Sequence, residues 1–308
     1  MARRTRKQPL RALGRSRHKL YKVGGRVINR SSGHRLSYKQ PDNIPHEKVL
    51  GKKGCKPNNP GSEGSCLPVS ELSKVANGAQ TLQQACTTLK CQRVSDGGLL
   101  ESLPQDEQER LLKAYFRPKA PEEWKKDPDA WLDNFSIEAV LKQYEEIDPS
   151  FMTLGAVPID FAAPSPYNKS KCLLPEFCRL TLNELRAKKK RSVGMVFNLD
   201  PHFKDGSHWV ALFLDVNKPG CYYFDSYGMA PPKQIKLLME TFWSQDKRME
   251  LGYNGRRFQY SQSECGMYSL YFIICMNFGI PFKAFVKQRV KDEVMLFLRS
   301  WLFFDASA

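Results

Sequence analysis

The run RRFQYSQSECGMYSL over residues 256–270 places Cys265 between a polar turn and the apolar stretch SLYFIICMNFGI. A cysteine there is either a small core residue or a nucleophile at a helix start, where unpaired N–H groups favour a thiolate. Two further residues supply partners for such a nucleophile. His208 opens a candidate strand in KDGSHWVALFLD, and Asp225 closes the next one in YYFDSYG. An imidazole takes the thiol proton, and a carboxylate fixes its tautomer and stabilises the imidazolium. Gln259, upstream of the cysteine, can offer a side-chain N–H to an oxyanion. Each residue alone has a plainer reading. A lone strand-edge histidine is commonly a satisfied surface group, Asp225 can cap a turn, and Gln262 stands nearer Cys265 than Gln259 does.

The elements must bring these positions together. SVGMVFNL (192–199), HWVALFLDV (208–216) and GCYYFDSYG (220–228) are β-branched or aromatic and bounded by Gly, Pro and Asp, which predicts three strands. In antiparallel neighbours the start of one strand lies beside the end of the next, so His208 and Asp225 meet at one sheet edge. The preceding stretch DPDAWLDNFSIEAVLKQYEEIDPSF predicts an amphipathic helix capped by Asp133 or Asn134 and closed before Pro149. PPKQIKLLMETFWSQD predicts another helix, and RRFQYS a short strand leading to the Cys265 helix. Helix, three strands, helix, strand, helix is an α+β arrangement. Further upstream, residues 68–118 predict a helical region interrupted at Gly97-Gly98 and ended by Pro118.

Charge divides the chain unevenly. The net charge is +16, and residues 1–56 hold 17 Lys and Arg against two acids, Asp42 and Glu47. Residues 1–66 are poor in apolar side chains and predict a disordered basic arm, either solubilising or nuclear-import in character or binding phosphates by counterion release. The expected organisation is an arm at 1–66, a small helical domain at 67–123 and a core at 124–308. The nine cysteines show no metal-site spacing, and a chain this rich in apolar residues needs no disulfide staples, so a reducing intracellular setting is expected. No apolar leader opens the sequence, and no stretch reaches the roughly 18 apolar residues of a membrane span.

Taken together, HW before an apolar strand, FDS after it and Q-x5-C-G resemble the Ulp/SENP and adenovirus-protease superfamily of cysteine proteases. The likeness runs through WLDNFSIEAV, GMVFNLDPHFKDGSHWVALFLDV, YYFDSYG and RFQYSQSECGMYSLYFI, covering about residues 124–308. Within that superfamily it is similar to the polyprotein-processing proteases of large DNA viruses, African swine fever virus among them. The resemblance implies a papain-like core, a mixed sheet flanked by helices with the nucleophile opening a buried helix. It implies His208 as general base, Asp225 as orienting acid, Cys265 as nucleophile and Gln259 as oxyanion residue. The swine fever enzyme has asparagine in the third role, so Asp225 departs toward the SUMO-protease form, with a stronger pairing expected. Trp131 and Trp209 stand where SUMO proteases build a tunnel over Gly-Gly; packing residues of the core or of a lid are their plainer reading.

By the same resemblance the substrates are viral structural polyproteins cut at Gly-Gly-X during virion maturation, in the host cytoplasm (viral factory) and virion. No metal or organic cofactor is implied. DNA or another polyanion on the arm is the expected activator. Gly24-Gly25-Arg26 and Gly97-Gly98-Leu99 are candidate self-cleavage sites. Two alternatives stand beside this reading: a SUMO- or ubiquitin-like deconjugase, and a nucleic-acid-binding virion protein with an inactive protease fold.

Overall fold

The computed structural model describes residues 49–306 and, as backbone, the short strand β1 at Tyr21–Val23. Most of the predicted arm, with Gly24-Gly25, lies outside the described residues. Residues 49–66 do not: Leu50, Cys55 and Cys66 are buried, so the packed fold begins well before the expected boundary at 66.

Four helices follow, α1 (Val69–Val75), α2 (Leu82–Leu89), α3 (Asp96–Glu101) and α4 (Gln105–Tyr115). They share a core of their own with Leu72, Leu82, Leu99, Leu111 and Phe116 at its centre. Gly97 and Gly98 sit inside α3 and are buried, rather than separating two helices. A Cβ at Gly97 would run into the backbone of Ala306, so glycine is what allows the chain's C-terminal end to lie against this helix. Phe304 packs on Phe116 with ring centroids 4.5 Å apart and ties the helical region to the far end of the sequence.

The rest is three-layered. Helix α5 (Asn134–Ile147) is capped by Asp133, whose side chain accepts from the N–H of Ser136. It leads into β2 (Phe151–Pro158), and two short helices, α6 (Pro175–Arg179) and α7 (Leu182–Ala187), precede β3 (Ser192–Asn198), β4 (Trp209–Asp215) and β5 (Gly220–Phe224). Then come α8 (Lys233–Gln245), β6 (Glu250–Asn254), α9 (Cys265–Asn277), α10 (Phe282–Phe285) and α11 (Asp292–Leu302). The sheet order is β1-β6-β5-β4-β3-β2. Strands β3, β4 and β5 pair antiparallel, whereas β2 on β3, β6 on β5 and β1 on β6 pair parallel.

Strand β4 shows why the sheet is central. Trp209, Ala211 and Phe213 face the layer of α5, α9 and α11, while Val210, Leu212 and Leu214 face that of α6, α7 and α8. Covered on both faces, it is apolar throughout, as such strands are. Helix α9 runs through the first layer with every residue buried, consistent with its uniformly apolar sequence.

Three expectations are corrected. The strand after α8 is Glu250–Asn254, not RRFQYS, which is a loop. That loop spends backbone N–H groups on the active-site turn: Phe258 and Gln259 both donate to the carbonyl of Ser226. Strand β2 was not foreseen, because Gly155 at φ +76° and a register shift between Thr153 and Ala156 break its alternation. Finally, Cys55–Cys66 and Cys172–Cys178 are disulfide-bonded, against the expectation of none. Cys55–Cys66 closes an irregular segment and Cys172–Cys178 ties the chain before α6 to that helix, and cross-linking reduces the entropy of the unfolded chain.

Candidate active site

The register of β4 against β5 pairs Ala211 with Phe224, so the residue before β4 and the residue after β5 emerge at the same edge. His208 and Asp225 are those residues. The ring Nε2 donates to Asp225 Oδ1 across 2.7 Å, and the Cys265 thiol lies close enough to the same imidazole to act on its protonation. With Nε2 committed to the carboxylate, Nδ1 is the nitrogen left for sulfur. Residues far apart in sequence thus form one continuous thiol–imidazole–carboxylate relay.

Asp225 is 1% exposed, a desolvation cost that would be prohibitive without donors. The turn that follows supplies them: Tyr227 N–H gives 2.8 Å to Oδ1 and Met229 N–H 3.2 Å to Oδ2. Gly228 makes this turn possible, at φ +76° and so close to Arg256 that a Cβ would meet backbone atoms within 3 Å. Asn254, fully buried at the end of β6, accepts from Asp225 N–H and donates back to its carbonyl. Nothing in the sequence singled out Asn254; YNG reads locally as a turn, and only the parallel pairing of β6 with β5 puts it beside the backbone of Asp225.

Burial acts first on His208 and disfavours its charged form. The hydrogen bonds to Asp225 and Cys265 and the attraction of both groups overcome it, raising the ring from 6.5 to about 9. These two partners thus favour the imidazolium. Tyr227 stacks on the ring, centroids 4.6 Å apart and planes 16° from parallel, and limits its rotation.

Cys265 is the first residue of α9. Glu264 occupies the N-cap but makes no side-chain cap bond, because Arg299 holds its carboxylate at 2.6 Å. The first-turn amides are consequently left open toward the thiol. Gln259 is fully buried, its Oε1 taking the hydroxyl of Ser226 at 2.6 Å and its Nε2 donating to Ser261 carbonyl at 3.0 Å. One hydrogen of that amide nitrogen remains for another acceptor. Such an arrangement can generate a thiolate, attack a carbonyl, stabilise the oxyanion and protonate a leaving amine.

The two tryptophans differ. Trp209 is buried and donates from Nε1 to the carbonyl of Leu132 across 2.8 Å, whereas Trp131 is exposed. Leu132 and Trp209 lie against Gly266, where a Cβ would come within 3.1 Å of Leu132. The segment carrying Trp131 is thereby held over the start of α9. Arg299 reaches the same segment, donating to the carbonyls of Pro128 and Ala130. Both Glu264 and Arg299 escaped sequence reasoning, since a charge in an apolar neighbourhood reveals its partner only in three dimensions. A cavity of about 670 Å³ lies elsewhere, between the helical region and the C-terminal end around Trp124, Phe303 and Asp305.

A thiol opening a central helix beside a histidine–aspartate pair on a mixed sheet is the arrangement of a papain-like cysteine protease. Residues 184–308 match the family described as "Ulp1 protease family, C-terminal catalytic domain". His208, Asp225, Gln259 and Cys265 fall inside that match and Trp131 outside it. The chain is 33% identical over 188 residues to a thiol protease of Acanthamoeba polyphaga mimivirus, which covers 59% of this chain and 58% of that protein. It is 36% identical over 118 residues to a SUMO-1 cysteine protease of African swine fever virus, covering 36% of this chain and 43% of the viral protein. The match thus spans roughly half the length of these relatives. The crystal structure of an African swine fever virus protease superimposes with a TM-score of 0.63 at 22% identity, covering 82% of this chain and 96% of that one, so the fold is shared. Among the described residues no helix is long and apolar enough to cross a membrane.

Proposed function

We propose that this chain is a viral cysteine endopeptidase that cuts structural polyproteins after Gly-Gly during particle assembly. Cys265 attacks the scissile carbonyl and His208 moves the proton. Asp225 holds the ring, while Gln259 and the first-turn amides of α9 receive the oxyanion. The observation that carries this reading is a reactive thiol that is 1% exposed, with Trp209 and Leu132 packed against Gly266 beside it. A substrate reaching so enclosed a sulfur must present backbone without side chains, and glycine alone does so. The kinship with viral thiol and cysteine proteases supports the same assignment. Substrate and enzyme then meet in the virus factory of the host cytoplasm and in the virion, where the basic N-terminal segment holds the enzyme on DNA or another polyanion.

The test is incubation of the purified chain with a capsid-polyprotein fragment containing Gly-Gly-X, alongside a SUMO conjugate, with cut sites mapped by mass spectrometry. Cleavage after Gly-Gly in the fragment, lost in Cys265→Ala, is the expected result. Processing of the conjugate with the fragment left intact would instead identify a deconjugase, and no Cys265-dependent cut in either would end the protease assignment.

A further inference from the structure

The catalytic imidazole ends a ladder of stacked side chains. Tyr227 lies on His208, Arg257 lies over Tyr227 at 5.0 Å and over Tyr260 at 4.7 Å, and Arg289 lies over Tyr260 at 4.2 Å. Arg257 and Tyr260 are solvent-exposed. Arg257 uses Nε on the carbonyl of Gln259, and Arg256 uses one nitrogen on that of Lys287. Among the described residues, none of Arg256, Arg257 and Lys287 meets a carboxylate. Of the two acids opening α11, Asp292 is engaged by Arg289, by the N–H groups of Tyr260 and Ser261 and by the Tyr268 hydroxyl, and Glu293 is exposed. The segment packed over the α9 start has a rim of different character, with Trp131 and Phe135 exposed beside Asp127, Asp129 and Asp133.

The reaction decides which end of the substrate each rim meets. The acyl half stays over the α9 start, where its carbonyl oxygen takes the amide hydrogen bonds. The leaving amine receives its proton from the imidazolium, so the chain after the scissile bond leaves past His208 and Tyr227. An extended chain advances about 3.3–3.6 Å per residue, which brings the second or third residue of the leaving half level with Arg257. From these contacts the geometry points to Arg257, seconded by Arg289, as a specificity-determining cation that selects an acidic side chain shortly after the cleavage site. This rests on the endopeptidase reading above and adds the substrate's downstream chemistry to it.

Three peptides sharing Gly-Gly and differing only in Glu, Gln or Lys at the second and third positions after it provide the measurement. The wild type is expected to cut the Glu peptide about three- to fivefold faster in kcat/KM than the Gln peptide, the size of an exposed cation–carboxylate contact, and the Lys peptide slowest. Arg257→Gln should bring the ratios near unity and Arg257→Glu should reverse them. Because only ratios within one variant are compared, a general loss of activity does not confuse the result. In wild type the preference should also shrink at about 0.5 M salt, where exposed charges are screened. Equal rates on all three peptides by wild type, or ratios unchanged in Arg257→Glu, would overturn this inference and leave the endopeptidase reading intact. No cleavage of any peptide by wild type would overturn both.

Discussion

On one side of the α9 start His208 faces Asp225 across 2.7 Å, and on the other Arg299 faces Glu264 across 2.6 Å. Both pairs are withdrawn from water, and both are braced by extra hydrogen bonds that offset the cost of burying charge. They differ in the cation. A guanidinium keeps its proton at any pH a protein survives, so the rear pair is a fixed strut between Glu264, helix α11 and the Trp131 segment. Trp124 adds to it, with Arg299 4.4 Å over its ring. The front pair contains a group whose charge can change, and the thiol sits on that side. In the proposed mechanism the rear pair would position Cys265 and the front pair would react with it.

The largest expected effect separates the two pairs outright. Cys265→Ala should lower kcat/KM by about 10⁴ or more, since no other group can form the acyl intermediate, while thermal unfolding stays within a few degrees of wild type. Residual turnover close to wild type would mean that another of the cysteines carries the reaction. Breaking the rear pair should do the reverse. Arg299→Met leaves Glu264 charged, buried and alone, at a cost of about 3–5 kcal/mol in denaturant unfolding. Arg299→Met with Glu264→Gln should recover part of it, and an unchanged midpoint in the single variant would show that the strut is dispensable. Gln259→Ala comes next, removing an oxyanion donor and lowering kcat by about 10²–10³ with a smaller change in KM. A rise in KM with kcat intact would move Gln259 from chemistry to binding.

How far this corner was legible in the sequence follows from what fixes each part. Antiparallel neighbours close in the chain, β3 to β5, announce themselves by local pattern, so the juxtaposition of His208 and Asp225 could be foreseen from strand ends alone. The helical character of 265–277 was equally plain from its apolar composition. Parallel partners join segments distant in sequence and leave no local signal, which is why β2 was missed and β6 misplaced by several residues. Asn254 and the Glu264–Arg299 strut fall in the same category: each is a polar residue whose partner is chosen by the tertiary fold. The disulfides were missed for a different reason. Composition argued that the whole chain needed none, but the need is local, in segments such as 55–66 that lie against the core without contributing much to it.

The last variant is the most discriminating between the two pairs. Asp225→Asn keeps the shape of the front pair and removes its negative charge. Burial still pushes the His208 ring down, while the carboxylate's hydrogen bond and attraction no longer push it up, so the ring should fall below its present value of about 9. The sign of the consequences follows from that raised value. In wild type the pair's contribution to stability is complete below the unfolded histidine value of about 6.5 and is lost as pH rises through about 9. The variant should therefore be less stable than wild type at pH 6, and the gap should close by pH 10. In the rate profile the alkaline limb, set by loss of the imidazolium, should move toward neutral pH, with kcat/KM at pH 7 reduced as the ring's tautomer and charge are held less firmly. A limb left near pH 9 by Asp225→Asn would mean that the sulfur alone sustains the imidazolium, and the contrast between a reactive front pair and a fixed rear one would have to be redrawn around Cys265.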